Sequence, residues 1–173
     1  VILCIILVFS MMTGTTFAAD NPAAVQTQDV QTASPEKRVW DLSSDDTAVR
    51  PTVQGATGEY EGIIIDAING KFAPRTPETG GADTQVNSGT ILTIPLEANS
   101  SGGTLTIKLS GGSATVESDG TEYTSENSAV SIPVAASETD TTCVVSFVSQ
   151  AYLASIELSY PEPEEEYPGI PEN

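Results

Sequence analysis

The chain has 173 residues, with 24 acids, six bases and no histidine, for a formal charge of −18. That charge opposes nucleic acid, which selects proteins with clustered Lys and Arg. The missing histidine excludes Ser-His-Asp and Cys-His triads, His-ligated zinc and a haem His, so a binding or structural role is expected rather than catalysis.

Residues 1–18 begin with an uncharged apolar run from Val1 to Phe9 and end with small residues, Thr16 and Ala18, at the −3 and −1 positions of a cut after Ala18. This pattern predicts a secretory signal peptide, truncated at its start because Val stands where Met is expected. Such a run is at the short limit for spanning a bilayer, so no stable membrane insertion is expected. Cys4 follows Leu3 rather than a small residue, which speaks against lipoprotein attachment. Once residues 1–18 are removed only Cys143 remains, and no internal disulfide can form. In its apolar surroundings Cys143 reads as a small buried hydrophobe. Residues 19–37 are mostly Ala, Gln, Thr, Asp and Pro without apolar periodicity, and are expected to form a disordered leader.

Residues 38–160 carry the folded module. Val39, Trp40 and Leu42 open it. Gly62 to Ala67 is a continuous apolar run, the pattern of a strand covered on both faces. Leu92, Ile94 and Leu96 share one face of the next run, and Pro95 marks an edge or strand end. Leu105, Ile107 and Leu109 alternate with Thr104, Thr106 and Lys108. Asp119-Gly120 is a hairpin-turn dipeptide leading to Glu122, Tyr123 and Thr124. Val130, Ile132 and Val134 alternate again. Cys143, Val145 and Phe147 oppose Val144 and Val148, and Tyr152, Ala154, Ile156, Leu158 and Tyr160 mark a last strand. About nine or ten strands without helical periodicity predict an all-β sandwich of jelly-roll type.

Residues 161–173 are rich in Pro and Glu, hence extended and self-repelling, the composition of an acidic linker. A chain that ends on such a stretch reads as a fragment of a larger protein. Sixteen of the 24 acids and all six bases lie between Lys37 and Tyr160, so that stretch carries −10.

Chemistry concentrates around Lys71, Phe72 and Arg75, followed by Gln85 and Asn87. An aromatic face against sugar C–H bonds, with Arg, Lys and amides meeting hydroxyls or uronate carboxylates, is the composition of a carbohydrate site. The alternative places Phe72 in the core and pairs Lys71 and Arg75 with Asp66 or Asp83. No cofactor is expected. Asp41, Asp45 and Asp46, or Asp66 and Asp83, are the acids that could hold a structural calcium, although no Asp-x-Asp-x-Asp-Gly loop is present. Trp40, Tyr60, Tyr123, Tyr152 and Tyr160 read either as core or as stacking platforms. The acid pairs Glu59/Glu61 and Glu122/Glu126 nominally meet a glycosidase's needs, but nothing in their spacing signals catalysis.

The blocks Val39-Trp40-Asp41-Leu42-Ser43, Gly62-Ile63-Ile64-Ile65-Asp66-Ala67, Gly70-Lys71-Phe72-Ala73-Pro74-Arg75, Gln85-Val86-Asn87-Ser88-Gly89-Thr90, Ile94-Pro95-Leu96 and Tyr152-Leu153-Ala154-Ser155-Ile156-Glu157-Leu158, in that order, resemble the N-terminal β-sandwich accessory modules of secreted Gram-positive pectinesterases and pectate lyases. The resemblance implies a secreted or cell-surface, non-catalytic module that binds plant-cell-wall polysaccharide, pectin above all, ahead of a C-terminal catalytic domain. It implies that the parent, rather than this piece, is the enzyme. The module's charge repels polygalacturonate, so Lys71, Arg75 or bridging calcium must offset the field. The alternative is an Ig-like or adhesin spacer of a bacterial surface protein, with no ligand.

Overall fold

Alternating apolar side chains give each strand one face to bury, and two sheets provide the burial. In the computed structural model, which describes residues 37–43, 50–79 and 81–161, thirteen strands are laid down. They are β1 (Arg38–Asp41), β2 (Val53–Gln54), β3 (Thr57–Tyr60), β4 (Ile63–Asp66), β5 (Lys71–Arg75), β6 (Asp83–Val86), β7 (Ile91–Leu96), β8 (Gly103–Gly111), β9 (Thr115–Ser118), β10 (Thr121–Thr124), β11 (Ala129–Val134), β12 (Thr141–Phe147) and β13 (Ala151–Ser159). A 3-10 turn at Pro77–Thr79 is the one helical segment among the described residues. The signal peptide, most of the leader and nearly all of the linker expected from the sequence lie outside the described residues.

The first sheet has the order β11-β8-β13-β6-β5-β2, and β1 pairs with the far half of β13, beside β6. The second has the order β10-β9-β12-β7-β4-β3. Every pairing is antiparallel. From β6 to β13 the chain places β6, β8, β11 and β13 in the first sheet and β7, β9, β10 and β12 in the second. The resulting orders, β11-β8-β13-β6 facing β10-β9-β12-β7, are those of a jelly roll, and the expected all-β sandwich is the fold observed.

The core is the space between the sheets. Leu105, Ile107 and Leu109 from β8, Val130, Ile132 and Val134 from β11, Leu92, Ile94 and Leu96 from β7, and Cys143, Val145 and Phe147 from β12 are all buried there, as their alternation predicts. Trp40 is fully buried; its indole Nε1 donates to the Glu61 carbonyl at 3.1 Å, tying β1 of one sheet to the β3–β4 turn of the other.

Two expectations are corrected. The run Gly62 to Ala67 is covered on one face only: Ile63 and Ile65 are buried, but Ile64 is 54% exposed on the outside of the second sheet. In β13 the alternation breaks, because register shifts between Tyr152 and Ser155 insert an extra residue, a β-bulge. Leu153, Ile156 and Leu158 are therefore buried, and Tyr152 does not share a face with Ile156 and Leu158. Pro95 sits inside β7, opposite Thr142 of β12, but β4 pairs only with Ile91, Leu92 and Thr93, so Pro95 lies where that side of β7 has become an edge.

Candidate functional site

Strands β5, β6 and β13 run near one another in the first sheet, and their outward side chains gather four of the five residues singled out by sequence. Lys71 and Arg75 leave β5, Gln85 leaves β6, and Asn87 follows at its end. Tyr152 of β13 stands opposite Gln85 on one side and opposite Gly111 of β8 on the other, while Gln85 stands opposite Ala73. The row Ala73–Gln85–Tyr152–Gly111 thus sets an amide and an aromatic ring between two small residues. A Cβ added at Gly111 would meet nothing within 4 Å, so the β8 side of Tyr152 is open.

Hydrogen bonds order this face. Arg75 forks onto Asp83, its Nε and Nη2 donating to the two carboxylate oxygens at 2.6 Å each, and its guanidinium carbon lies 3.8 Å from the centroid of the Tyr152 ring. The Ser110 hydroxyl also donates to Asp83. Burial raises the Asp83 pKa, but the hydrogen bonds from Arg75 and Ser110 outweigh it and hold the carboxyl below its usual range. The same bond to Asp83 pushes Arg75 up. Gln150 Nε2 donates to the Tyr152 hydroxyl at 2.6 Å. Lys71 Nζ donates to Gln85 Oε1 at 3.5 Å, and Gln85 Nε2 to Asn87 Oδ1 at 2.9 Å. No carboxylate pairs with Lys71 among the described residues. Lys37, just before β1, and Lys108 of β8 both hold Glu157, at 2.8 and 2.7 Å.

Phe72 is corrected. Its ring points between the sheets and is 2% exposed, because β-strand neighbours face opposite ways and Lys71 faces out. It is core, and the aromatic on this face is Tyr152. Asp83, Ser110 and Tyr152 enter the array with no sequence motif to announce them. The sequence pointed there only through the alternative pairing of Arg75 with Asp83 and through Tyr152 as one of several candidate stacking platforms.

The remaining aromatics divide by burial. Trp40 and Tyr60 are core, with the Tyr60 hydroxyl donating to the Asp41 carbonyl at 2.8 Å. Tyr160 is half-buried and donates to the Glu97 carbonyl at 3.2 Å. Tyr123 is half-buried on β10 and packs against the core. Cys143 is buried, its sulfur 3.6 Å from the Ser118 hydroxyl, and burial pushes the thiol pKa up, which suits a small apolar filler.

Of the acids considered for calcium, Asp45 and Asp46 lie outside the described residues. Asp41 accepts from the Ser43 amide and hydroxyl at 2.8 Å each. Asp66 and Asp83 do not form a pair, since β4 belongs to one sheet and β6 to the other. Among the described residues no group of three or more His, Cys, Asp or Glu is placed to hold a metal ion. No helix among them is long and apolar enough to cross a membrane.

No protein family and no curated protein matches the sequence. Among solved structures, the chain is similar to one from a study of glycan recognition in the Ruminococcus flavefaciens cellulosome, at 16% identity and a TM-score of 0.43, over 75% of this chain and 98% of that one.

Proposed function

We propose that this chain is a secreted, non-catalytic carbohydrate-binding module whose glycan lies along the outer face of the first sheet, across Tyr152. The observation that carries this reading is the row Gln85–Tyr152–Gly111, where an aromatic ring stands beside an open position and within reach of amides. A pyranose presents C–H groups to such a ring and hydroxyls to Gln85 and Asn87. Pectic selectivity rests on Lys71, the cation on this face whose partner is an amide rather than a carboxylate. A uronate completes a charge-assisted hydrogen bond there. Attached to a polysaccharide-active enzyme, such a module raises local substrate concentration even with weak affinity.

Gel retardation of the full chain on pectin, polygalacturonate, xylan and cellulose, with and without Ca²⁺, tests this. Retardation is expected on polygalacturonate, weakened at least tenfold by Tyr152→Ala on every glycan bound and by Lys71→Ala on polygalacturonate alone. A ligand-free spacer is the reading favoured by the closed network Arg75–Asp83–Ser110, whose groups satisfy one another. It predicts no retardation on any glycan, and that result would overturn the binding reading.

A further inference from the structure

Between the sheets, the ends of β7 and β11, the start of β12 and the β9–β10 turn bound a cavity of about 320 Å³. Its floor is Leu96, Ile132, Val134 and Cys143, all side chains of the core. Tyr123 closes one side. It stands opposite Val116 of β9, so its ring points inward with that residue while Glu122, its neighbour on β10, points out. The volume lies at the lower end of the range for small-ligand pockets, roughly 300–1,000 Å³.

Two hydroxyls in this lining have bonding capacity to spare. Ser118 is 4% exposed, and its one side-chain partner among the described residues is the Cys143 sulfur at 3.6 Å, a weak one. A hydroxyl offers one donor and two acceptor positions, so a buried one met only by a thiol is under-satisfied until something in the cavity reaches it. The Tyr123 hydroxyl makes no hydrogen bond with described residues. Charge and polarity narrow the occupant further. Asp119 is the one charged residue of the lining, and no Lys or Arg is there. It lies close enough to act on Cys143, whose thiol pKa is pushed up by burial first and by the Asp119 charge after it. An anion therefore meets like charge at the rim. A pyranose would press several hydroxyls against an aliphatic floor without partners for them, at a cost for each one buried. A plain hydrocarbon leaves Ser118 under-satisfied. An aromatic ring with a single hydroxyl fits the apolar walls, packs against Tyr123 and gives Ser118 a partner.

We infer that this cavity is a binding site for a small uncharged phenol, with its ring between Tyr123 and the aliphatic floor and its hydroxyl on Ser118. The cavity lies between the sheets and Tyr152 on the outer face of the first, so this site stands independently of the glycan reading. Free phenols and phenols carried as esters share the required chemistry.

The test is NMR titration of the ¹⁵N-labelled full chain at about pH 7, where a phenol is un-ionised, with 4-methylphenol, toluene, methyl 4-hydroxycinnamate and the 4-hydroxycinnamate anion. Saturable shifts are expected at amides within residues 118–123 and 132–143. 4-Methylphenol should bind at least fivefold more tightly than toluene, and the methyl ester at least tenfold more tightly than the anion. An ester tighter than 4-methylphenol assigns the site to esterified phenols, and the reverse order to free ones. Ser118→Ala should bring 4-methylphenol and toluene to near-equal affinity, and Cys143→Leu, which fills the floor, should abolish binding of both. Because Cys143→Leu also disturbs the core, Ser118→Ala carries the decision if that variant fails to fold. No saturable shift would mean that water alone occupies the cavity and would overturn the site. Equal affinity for toluene in the native protein, or a preference for 4-methylphenol that survives Ser118→Ala, would overturn it too. Shifts confined to Gln85 and Tyr152 would overturn it while leaving the other face standing.

Discussion

Asn127 and Ser128 fill the two central positions of the β10–β11 turn with φ of 49° and 60°, while Glu126 and Ala129 exchange backbone hydrogen bonds at 2.8 and 2.9 Å. Two left-handed residues in a two-residue loop give the turn that matches strand twist, and Asn-Gly is its preferred sequence. Ser128 carries a Cβ where that preference has none. The β9–β10 hairpin solves the same problem with Asp119 and Gly120, at φ of 48° and 72°. Ser128→Gly is therefore expected to stabilise the protein by about 0.5–1 kcal/mol, the left-handed strain relieved less the added chain entropy of glycine. Urea unfolding measures it, and a lower midpoint at unchanged slope would mean that the Ser128 turn is unstrained.

Between strands, close backbone approach decides what a position tolerates. Gly70 precedes β5 and abuts Thr90, whose hydroxyl accepts from the Lys71 amide at 3.0 Å and donates to the Lys71 carbonyl at 3.1 Å. A Cβ on Gly70 would stand 2.3 Å from Thr90 Oγ1 and 2.6 Å from its amide nitrogen. Gly70→Ala should thus cost about 1–3 kcal/mol by forcing the β6–β7 connection away from β5. Gly111→Ala, with open space around its Cβ, should change stability little, and equal losses at both would refute the steric account. The bulge in β13 also acts between strands: one extra residue reverses the phase of the side chains, and so Tyr152 faces out while Leu153, Ile156 and Leu158 face in. Simple alternation from Tyr152 to Tyr160 missed this because a bulge leaves no mark in an apolar pattern.

Across the two sheets the bases are segregated. The strands of the second sheet hold Glu59, Asp66, Glu117 and Glu122 and no Lys or Arg, while Arg38, Lys71, Arg75 and Lys108 lie on strands of the first. Carboxylates in contact with those bases are perturbed: the bonds from Lys108 and Lys37 lower Glu157, and Arg75 and Ser110 lower Asp83 despite its burial. A depressed carboxyl pKa contributes stability above the unfolded value, near pH 4, and that contribution is lost as pH falls through the folded value. Comparing the native protein with Asp83→Asn isolates this term from the easing of net charge that acid also brings. The difference in Tm is expected to be largest above about pH 5 and to shrink below about pH 4. A difference independent of pH would show that Asp83 acts through packing alone.

The sequence by itself determined the sandwich, because period-two alternation leaves an apolar face that only a second sheet can cover. It also determined the core faces of β7, β8, β11 and β12, the Asp119-Gly120 turn, the absence of any histidine-based chemistry and the neighbourhood of Lys71, Arg75, Gln85 and Asn87. Phe72 shows the limit of that reading: proximity in sequence suggested a shared site, but adjacent residues on a strand face opposite ways, and which way is inward depends on the opposing sheet. Tertiary structure alone brought Ser110 and Tyr152 to the Arg75–Asp83 pair, which the sequence offered only as one alternative, and left Ile64 uncovered. Those outcomes depend on strand order, register and a bulge, and long-range pairing energies settle them rather than local propensity.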